Sequence, residues 1–289
     1  MKGSISFDVV LQVYRPDASL VLVLDAIERQ TVLPDQIIII NVEEKYWDAS
    51  FLGDHDDVEV YHVSRDMQPG TLQNMAADLT GADVMIYMKG GAMPADDRVF
   101  YRLLRGLEER RIKMAYARIE TDTRSGVIDV YENMIRFPLR SHIRTKEDVS
   151  LCGYDSFFAS NVCCAYDMEL FRQTGGFPAP CIRGEAMLYA MKIINLDYEV
   201  AYISSAKVIK NRLRSDRQYF KIAYETGQAL ASHRNLYTGM PLFPDKLSRE
   251  RVIRKMKEDG MKSYIARFKL RQRMWDIAFR MGINSNKGE

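Results

Sequence analysis

Lys89-Gly90-Gly91 sets an ammonium beside two residues without side chains, directly after the apolar run Asp83–Met88. A lysine so placed can pair with a phosphate, and glycine lets backbone approach a ligand closely. The same tripeptide also makes a solvated tight turn. Asn41 and Glu43 bring an amide and a carboxylate to the end of a second apolar run, Ile37–Ile40. There they can hydrogen-bond a ligand or hydrate a polar loop. Tyr14 ends a third run, Phe7–Val13. Asp54-His55-Asp56-Asp57 has the composition of a metal cluster but reads as a solvated connection, as does Asp122. His62, His142 and His233 lack partners at ligand spacing. No Gly-rich phosphate loop, Ser-His-Asp order or zinc signature is present.

The elements that must hold these residues alternate. Phe7–Val13, Ile37–Ile40, Val58–Val63, Asp83–Met88 and Met114–Ile119 read as buried strands. Helices fall between them: one with Leu20, Val23, Leu24 and Ile27 at helical spacing, capped by Asp17 or Ser19, then 70–79 and 96–111. This alternation predicts an α/β fold with a doubly wound, mostly parallel sheet. Ligands of such sheets lie beyond the carboxyl ends of the strands, which puts Tyr14, Asn41–Glu43 and Lys89–Gly91 on one rim. Further on, 124–143 reads as a loop or excursion and Phe157–Tyr166 as a strand. Asp167–Thr174 and Glu185–Asn195 read as helices, Tyr198–Ile203 as a strand, and the chain from Asp216 on as helical with a Pro break at 241–244.

At 289 residues, 47% hydrophobic and 28% charged, the chain is globular in composition. No apolar run approaches the ~18 residues of a spanning helix. A net charge of +2 is too balanced for a nucleic-acid binder. Charge is uneven, however: from residue 244 on there are thirteen Lys or Arg against six Asp or Glu. Val252, Ile253, Met256, Phe268, Trp275 and Phe279 recur among these cations, the pattern of an amphipathic basic helix. Its apolar face can pack on the domain or a partner subunit, or lie peripherally on an anionic membrane. Cys152, Cys163, Cys164 and Cys181 include no C-x-x-C pair and read as buried thiols of a reduced, cytoplasmic chain.

Residues 20–41 (LVLVLDAIERQTVLPDQIIIIN), 161–178 (NVCCAYDMELFRQTGGFP) and 184–208 (GEAMLYAMKIINLDYEVAYISSAKV) resemble glycosyltransferase family 2, in its bacterial rhamnosyltransferase-like branch. The resemblance spans residues 5–212 and implies a GT-A domain over 1–212, with 213–289 as a C-terminal helical extension. It also implies transfer of a sugar from a UDP- or dTDP-linked donor to a hydroxyl, with Mn²⁺ or Mg²⁺ beside the diphosphate and an Asp as base.

Five of the implied positions depart from that pattern. Gly91 stands where the metal-binding carboxylate is expected and Ala186 where the base is expected, leaving the adjacent Glu185 as candidate base. Lys210 replaces a His after the last core strand, Asn41 an Asp, and Leu72-Gln73 a Thr and Arg. No metal ligand is therefore assigned, and Tyr14, Asn41, Glu43, Lys89, Gly90, Gly91 and Lys210 remain as nucleotide-sugar contacts. Joint loss of metal ligand and base favours a degenerate site, with a binding or assembly role in a homo- or hetero-oligomer with an active glycosyltransferase. The alternative is metal-independent transfer, with Lys89 and Lys210 neutralising the leaving group.

Overall fold

The computed structural model describes residues 5–121, 125–210, 214–237 and 246–285. Asp122 and the Pro break at 241–244 lie outside them. The strands are β1 (Phe7–Tyr14), β2 (Gln36–Val42), β3 (Glu59–Val63), β4 (Val84–Lys89), β5 (Met93–Pro94), β6 (Ile112–Glu120), β7 (His142–Arg144), β8 (Cys163–Asp167) and β9 (Glu199–Ile209). The helices are α1 (Leu20–Glu28), α2 (Pro69–Asp78), α3 (Val99–Gly106), α4 (Val127–Arg136), α5 (Asp148–Cys152), α6 (Met168–Gln173) and α7 (Glu185–Asn195), then α8 (Asp216–Ser232), α9 (Lys246–Glu258) and α10 (Ile265–Asn284).

One sheet carries the order β3-β2-β1-β4-β8-β6-β9-β5, with β7 on β9. β3, β2, β1 and β4 run parallel, and β8 is antiparallel to both β4 and β6. Val9, Val10, Leu11, Ile38, Ile39 and Ile40 are fully buried, as two-sided cover of a parallel sheet requires. β2 and β4 flank β1 on opposite sides, so a crevice opens beyond β1 where the winding reverses. Register aligns the strand ends there: Val13 lies opposite Asn41, and Gln12 opposite Lys89.

The Gly-Gly-Phe-Pro segment is held by α2. Asn74 donates from Nδ2 to the Phe177 carbonyl at 2.9 Å and accepts the Phe177 N–H at 2.8 Å. Gly176, at φ +66°, lies so close that a Cβ would run into Asn74 Oδ1 and stand 2.9 Å from Phe171. Behind it Tyr166, Phe171, Phe177 and Tyr189 pack with centroids 4.9–5.7 Å apart.

Several expectations are corrected. The excursion contains α4 and β7; α4 forms because Ile128 and Tyr131 pack on Val252, Met256 and Phe268, more than a hundred residues away. Of the expected 157–166 strand only 163–166 is extended, within a strand that runs on to Asp167, and Gly153–Phe157 winds into a 3-10 turn ahead of it. α3 is half its expected length: Asp96 engages Arg98 N–H and Arg102 ahead of it, and Gly106 packs under Ile203 at its end. Ser19 gives no side-chain cap to α1; its hydroxyl donates to Asp17 instead.

His55 is not solvated. It is buried against α1, its ring nitrogens 2.6 Å from Glu28 and 3.0 Å from Asp25. Burial alone would lower its pKa, but the two carboxylates outweigh it and raise the value. The folded state therefore holds the proton more tightly than the unfolded one. The stabilisation is full below the unfolded pKa of about 6.5 and is lost as pH rises through the folded value. The gap in Tm between wild type and His55→Gln should accordingly be wider at pH 5.5 than at pH 8.5; an equal gap at both would refute the clamp.

The C-terminal helices pack on this body. Phe268, Ala278 and Phe279 of α10 are buried, and Trp275 meets Tyr219 of α8 at 5.1 Å between centroids. Arg271, 5% exposed, pairs with Asp129 at 3.2 Å and with Glu132 and Asp216 at 3.6 Å. α8 and α10 cross at Gly227 and Gly282, whose Cα atoms are close enough that a Cβ on either would lie 3.0 Å from the other Cα. Leu270, Ile277 and Met281 stay exposed on the outer face. Among the described residues no helix is long and apolar enough to cross a membrane.

Candidate functional site

The crevice beyond β1 is a cleft of about 390 Å³. Tyr14, Lys89, Gly90, Gly91 and Lys210 all line it, together with Arg15 and Asp17. Gly90 N–H donates to the Gln12 carbonyl at 2.6 Å, and a Cβ at Gly90 would lie 3.1 Å from that oxygen. A side chain here would crowd the approach of β4 to β1, which glycine leaves open. Gly91 follows at φ +73° and turns the chain away. Lys210, just beyond β9, donates its Nζ to the Gly90 carbonyl at 2.8 Å, tying the last core strand to the turn.

Arg15 is the residue the sequence did not bring forward. It sits at φ +49°, where a non-glycine residue is strained, between Tyr14 and Pro16. Its guanidinium donates to the Tyr46 hydroxyl at 2.8 Å and lies 4.3 Å from that ring's centroid and 5.2 Å from Tyr14's. The available signal was a basic residue directly after the first strand. Three cations thus meet at the ends of β1, β4 and β9, while Lys89 forms no side-chain hydrogen bond or ion pair among the described residues. Such a concentration of fixed positive charge selects an anion.

A divalent ion does not fit this donor set. Such ions take oxygen ligands, and Lys89-Gly90-Gly91 offers none from a side chain. Among the described residues Asp17 is the one carboxylate lining the cleft, and it is engaged by the hydroxyl and N–H of Ser19, which hold its pKa below the ordinary value. Among the described residues no group of three His, Cys, Asp or Glu could hold a metal.

Asn41 and Glu43 lie one strand away and do not line the cleft. Asn41 is fully buried, its Nδ2 3.0 Å from His62 Nδ1 and 3.4 Å from the Glu43 carbonyl. Glu43, at φ +70°, pairs with Lys45 at 3.3 Å. Asn41 Oδ1 and Glu43 Oε2 are nonetheless buried without a donor. Unsatisfied acceptors of this kind favour a ligand that donates, as a nucleobase N–H or ribose hydroxyl does. Gln73 on α2 accepts from Asn161 at 2.6 Å, and its Nε2 is likewise unmatched.

Glu185 and Ala186 open α7 and are buried, at 6% and 3% exposure. Neither lines the cleft. The Glu185 charge bears instead on Tyr87, Tyr166 and Cys181; burial, with Glu185 adding to it, pushes the Cys181 thiol up to about 12.

No family model matches the chain. It is 28% identical over 207 residues to the O-antigen chain rhamnosyltransferase RfbN of Salmonella typhimurium, covering 71% of this chain and 66% of that protein. It is 23% identical over 203 residues to the O-antigen chain rhamnosyltransferase WbaN of Salmonella anatum, covering 70% and 64%. The chain thus spans just under two thirds of the length of these relatives. The mannosyltransferase PcManGT of Pyrobaculum calidifontis, solved with GDP-Man and Mn²⁺, superposes at a TM-score of 0.64 and 13% identity, over 99% of this chain and 89% of that one. With its parallel half-sheet, antiparallel β8 and C-terminal helices, the chain has a GT-A fold, and in sequence it is similar to bacterial O-antigen rhamnosyltransferases.

Proposed function

We propose that the chain binds a nucleotide-diphospho sugar, UDP- or dTDP-linked, in the β1–β4 cleft, and transfers the sugar during synthesis of a bacterial surface polysaccharide without a metal ion. The observation that carries this reading is the convergence of Arg15, Lys89 and Lys210 in a cleft where, among the described residues, the one lining carboxylate, Asp17, is engaged by Ser19. Breaking the sugar–phosphate bond builds negative charge on the diphosphate, and cations fixed in place stabilise it as it forms. The O-antigen relatives support the polysaccharide and a rhamnosyl group. Calorimetric titration with UDP and dTDP should show binding that is the same in Mn²⁺, Mg²⁺ and EDTA. Binding seen only with Mn²⁺, or no binding at all, would sink the proposal.

A second reading keeps the nucleotide but not the chemistry: a non-catalytic partner in a hetero-oligomer with an active glycosyltransferase. Ala186 in place of a base, with Glu185 turned into the core, favours it. Release of nucleoside diphosphate from a nucleotide sugar by the purified chain alone would dispose of that reading.

A further inference from the structure

A second cavity, of about 230 Å³, lies between α4 and the helices α8, α9 and α10. Its polar lining includes Glu132, Asn133 and Arg214, and its aromatic wall Tyr219 and Trp275. Asn133 is 9% exposed; it donates from Nδ2 to the Ile119 carbonyl at 2.6 Å, and its Oδ1 is buried with no partner. Flat apolar rings with a few convergent polar groups suit a sugar ring, which offers an apolar face and a rim of hydroxyls. The cavity reaches toward the cleft along the segment that leads into β8: Lys89 N–H donates to the Val162 carbonyl at 3.1 Å, and Ala159 and Ser160, just ahead of Val162, line the cavity.

We infer that this cavity takes the acceptor sugar and that Glu132 withdraws the proton from its attacking hydroxyl, the work for which α7 carries no Asp. The inference rests on the proposed sugar transfer. In the step, the hydroxyl oxygen bonds to the anomeric carbon of the donor while the bond from that carbon to the diphosphate oxygen breaks. The nucleoside diphosphate leaves with that electron pair, and the hydroxyl proton passes to the Glu132 carboxylate.

The surroundings of Glu132 suit a base working near neutrality. Its Oε1 accepts from Gln272 at 3.2 Å and lies 3.6 Å from Arg271 Nε, both on α10. Burial pushes its carboxyl up to about 7, with Asp129 of α4 adding to the rise and Arg271, Tyr219 and Arg214 opposing it. Arg214, which precedes α8, forms no hydrogen bond or ion pair among the described residues. The remaining charges on this face are engaged: Arg249 of α9 with Asp276 at 2.7 Å, Arg183 with Glu225 at 2.8 Å, and Arg136 with Asp155 at 3.5 Å. Glu132 thus lines the cavity and has the protonation range of a general base.

The test is nucleoside diphosphate release from dTDP- and UDP-sugars, with water and with a panel of simple glycosides as acceptors, for wild type, Glu132→Gln and Glu132→Asp. Wild-type turnover should rise with pH around pH 7. Glu132→Gln should lose on the order of 100-fold or more in kcat and lose that rise, and Glu132→Asp should recover part of both. dTDP and UDP binding by calorimetry, and Tm, should stay at wild-type values in Glu132→Gln. Equal turnover and an equal pH profile in Glu132→Gln would overturn the inference, as would nucleotide binding by wild type without release to any acceptor. Failure of the underlying reading shows separately, as no nucleotide binding by wild type, and takes the inference with it.

Discussion

Gly227→Ala should lower Tm by roughly 6–12 °C, the equivalent of about 3 kcal/mol in a chain of this size. The added Cβ would stand 2.9 Å from Ile283 N and 3.0 Å from Gly282 Cα, and closer still to the Phe279 carbonyl. These are backbone atoms, so no side-chain rotation can relieve the clash; α8 and α10 must move apart. Gly282→Ala should behave alike, since its Cβ would press on the Tyr224 carbonyl and lie 2.9 Å from Gln228 N. Separation would also uncover Phe279 and Ala278 and loosen Trp275 from Tyr219. Gly81→Ala is the control: nothing lies within 4 Å of its Cβ, so stability should hold or rise slightly. Thermal unfolding by circular dichroism decides, and a Gly227→Ala melt at the wild-type temperature would mean that the helices do not cross this closely.

The other large effect belongs to the cleft. Lys89→Ala with Lys210→Ala should weaken UDP and dTDP binding on the order of 100-fold, about 3 kcal/mol for two charge-assisted contacts. The single variants should differ in kind. Lys89→Ala removes only a charge, whereas Lys210→Ala also releases the Gly90 carbonyl that its Nζ holds at 2.8 Å. The double variant should also flatten the salt dependence of binding, because the lost contacts are electrostatic. Calorimetry at two ionic strengths reads both quantities. A Kd within threefold of wild type would remove the diphosphate from this cleft.

The half of the fold built from local pattern was legible in the residues. Ile37–Ile40 cannot be solvated, so it had to be a two-sided strand, and Glu185–Asn195 carries its periodicity and its stop within itself. The rim followed from where those strands end. α4 was not legible because residues 127–136 are helical for the sake of α9 and α10, contacts no local window contains. The 157–166 segment misled because Phe and Cys are as much at home in a buried 3-10 turn as in a strand. At the site, Lys89, Gly90 and Lys210 were readable as a turn and its cations, yet the bond joining them spans 120 residues and is a property of the sheet. Asn41 was placed on the correct strand end, but which way it points depends on His62, one strand over. His55 read as loop because its partners, Asp25 and Glu28, lie on an element far back in the chain.

In the proposed reaction, the bond from Lys210 to Gly90 bears on the end as well as the start. A dissociable ion can leave together with spent nucleotide, so the attraction it supplied departs with it. In the proposed transfer, ammonium groups on β4 and just beyond β9 would stay behind and go on holding the product. A cleft built this way would trade chelator resistance for slow discharge, with nucleoside diphosphate as its strongest inhibitor and ionic strength, rather than metal supply, setting the pace of each cycle.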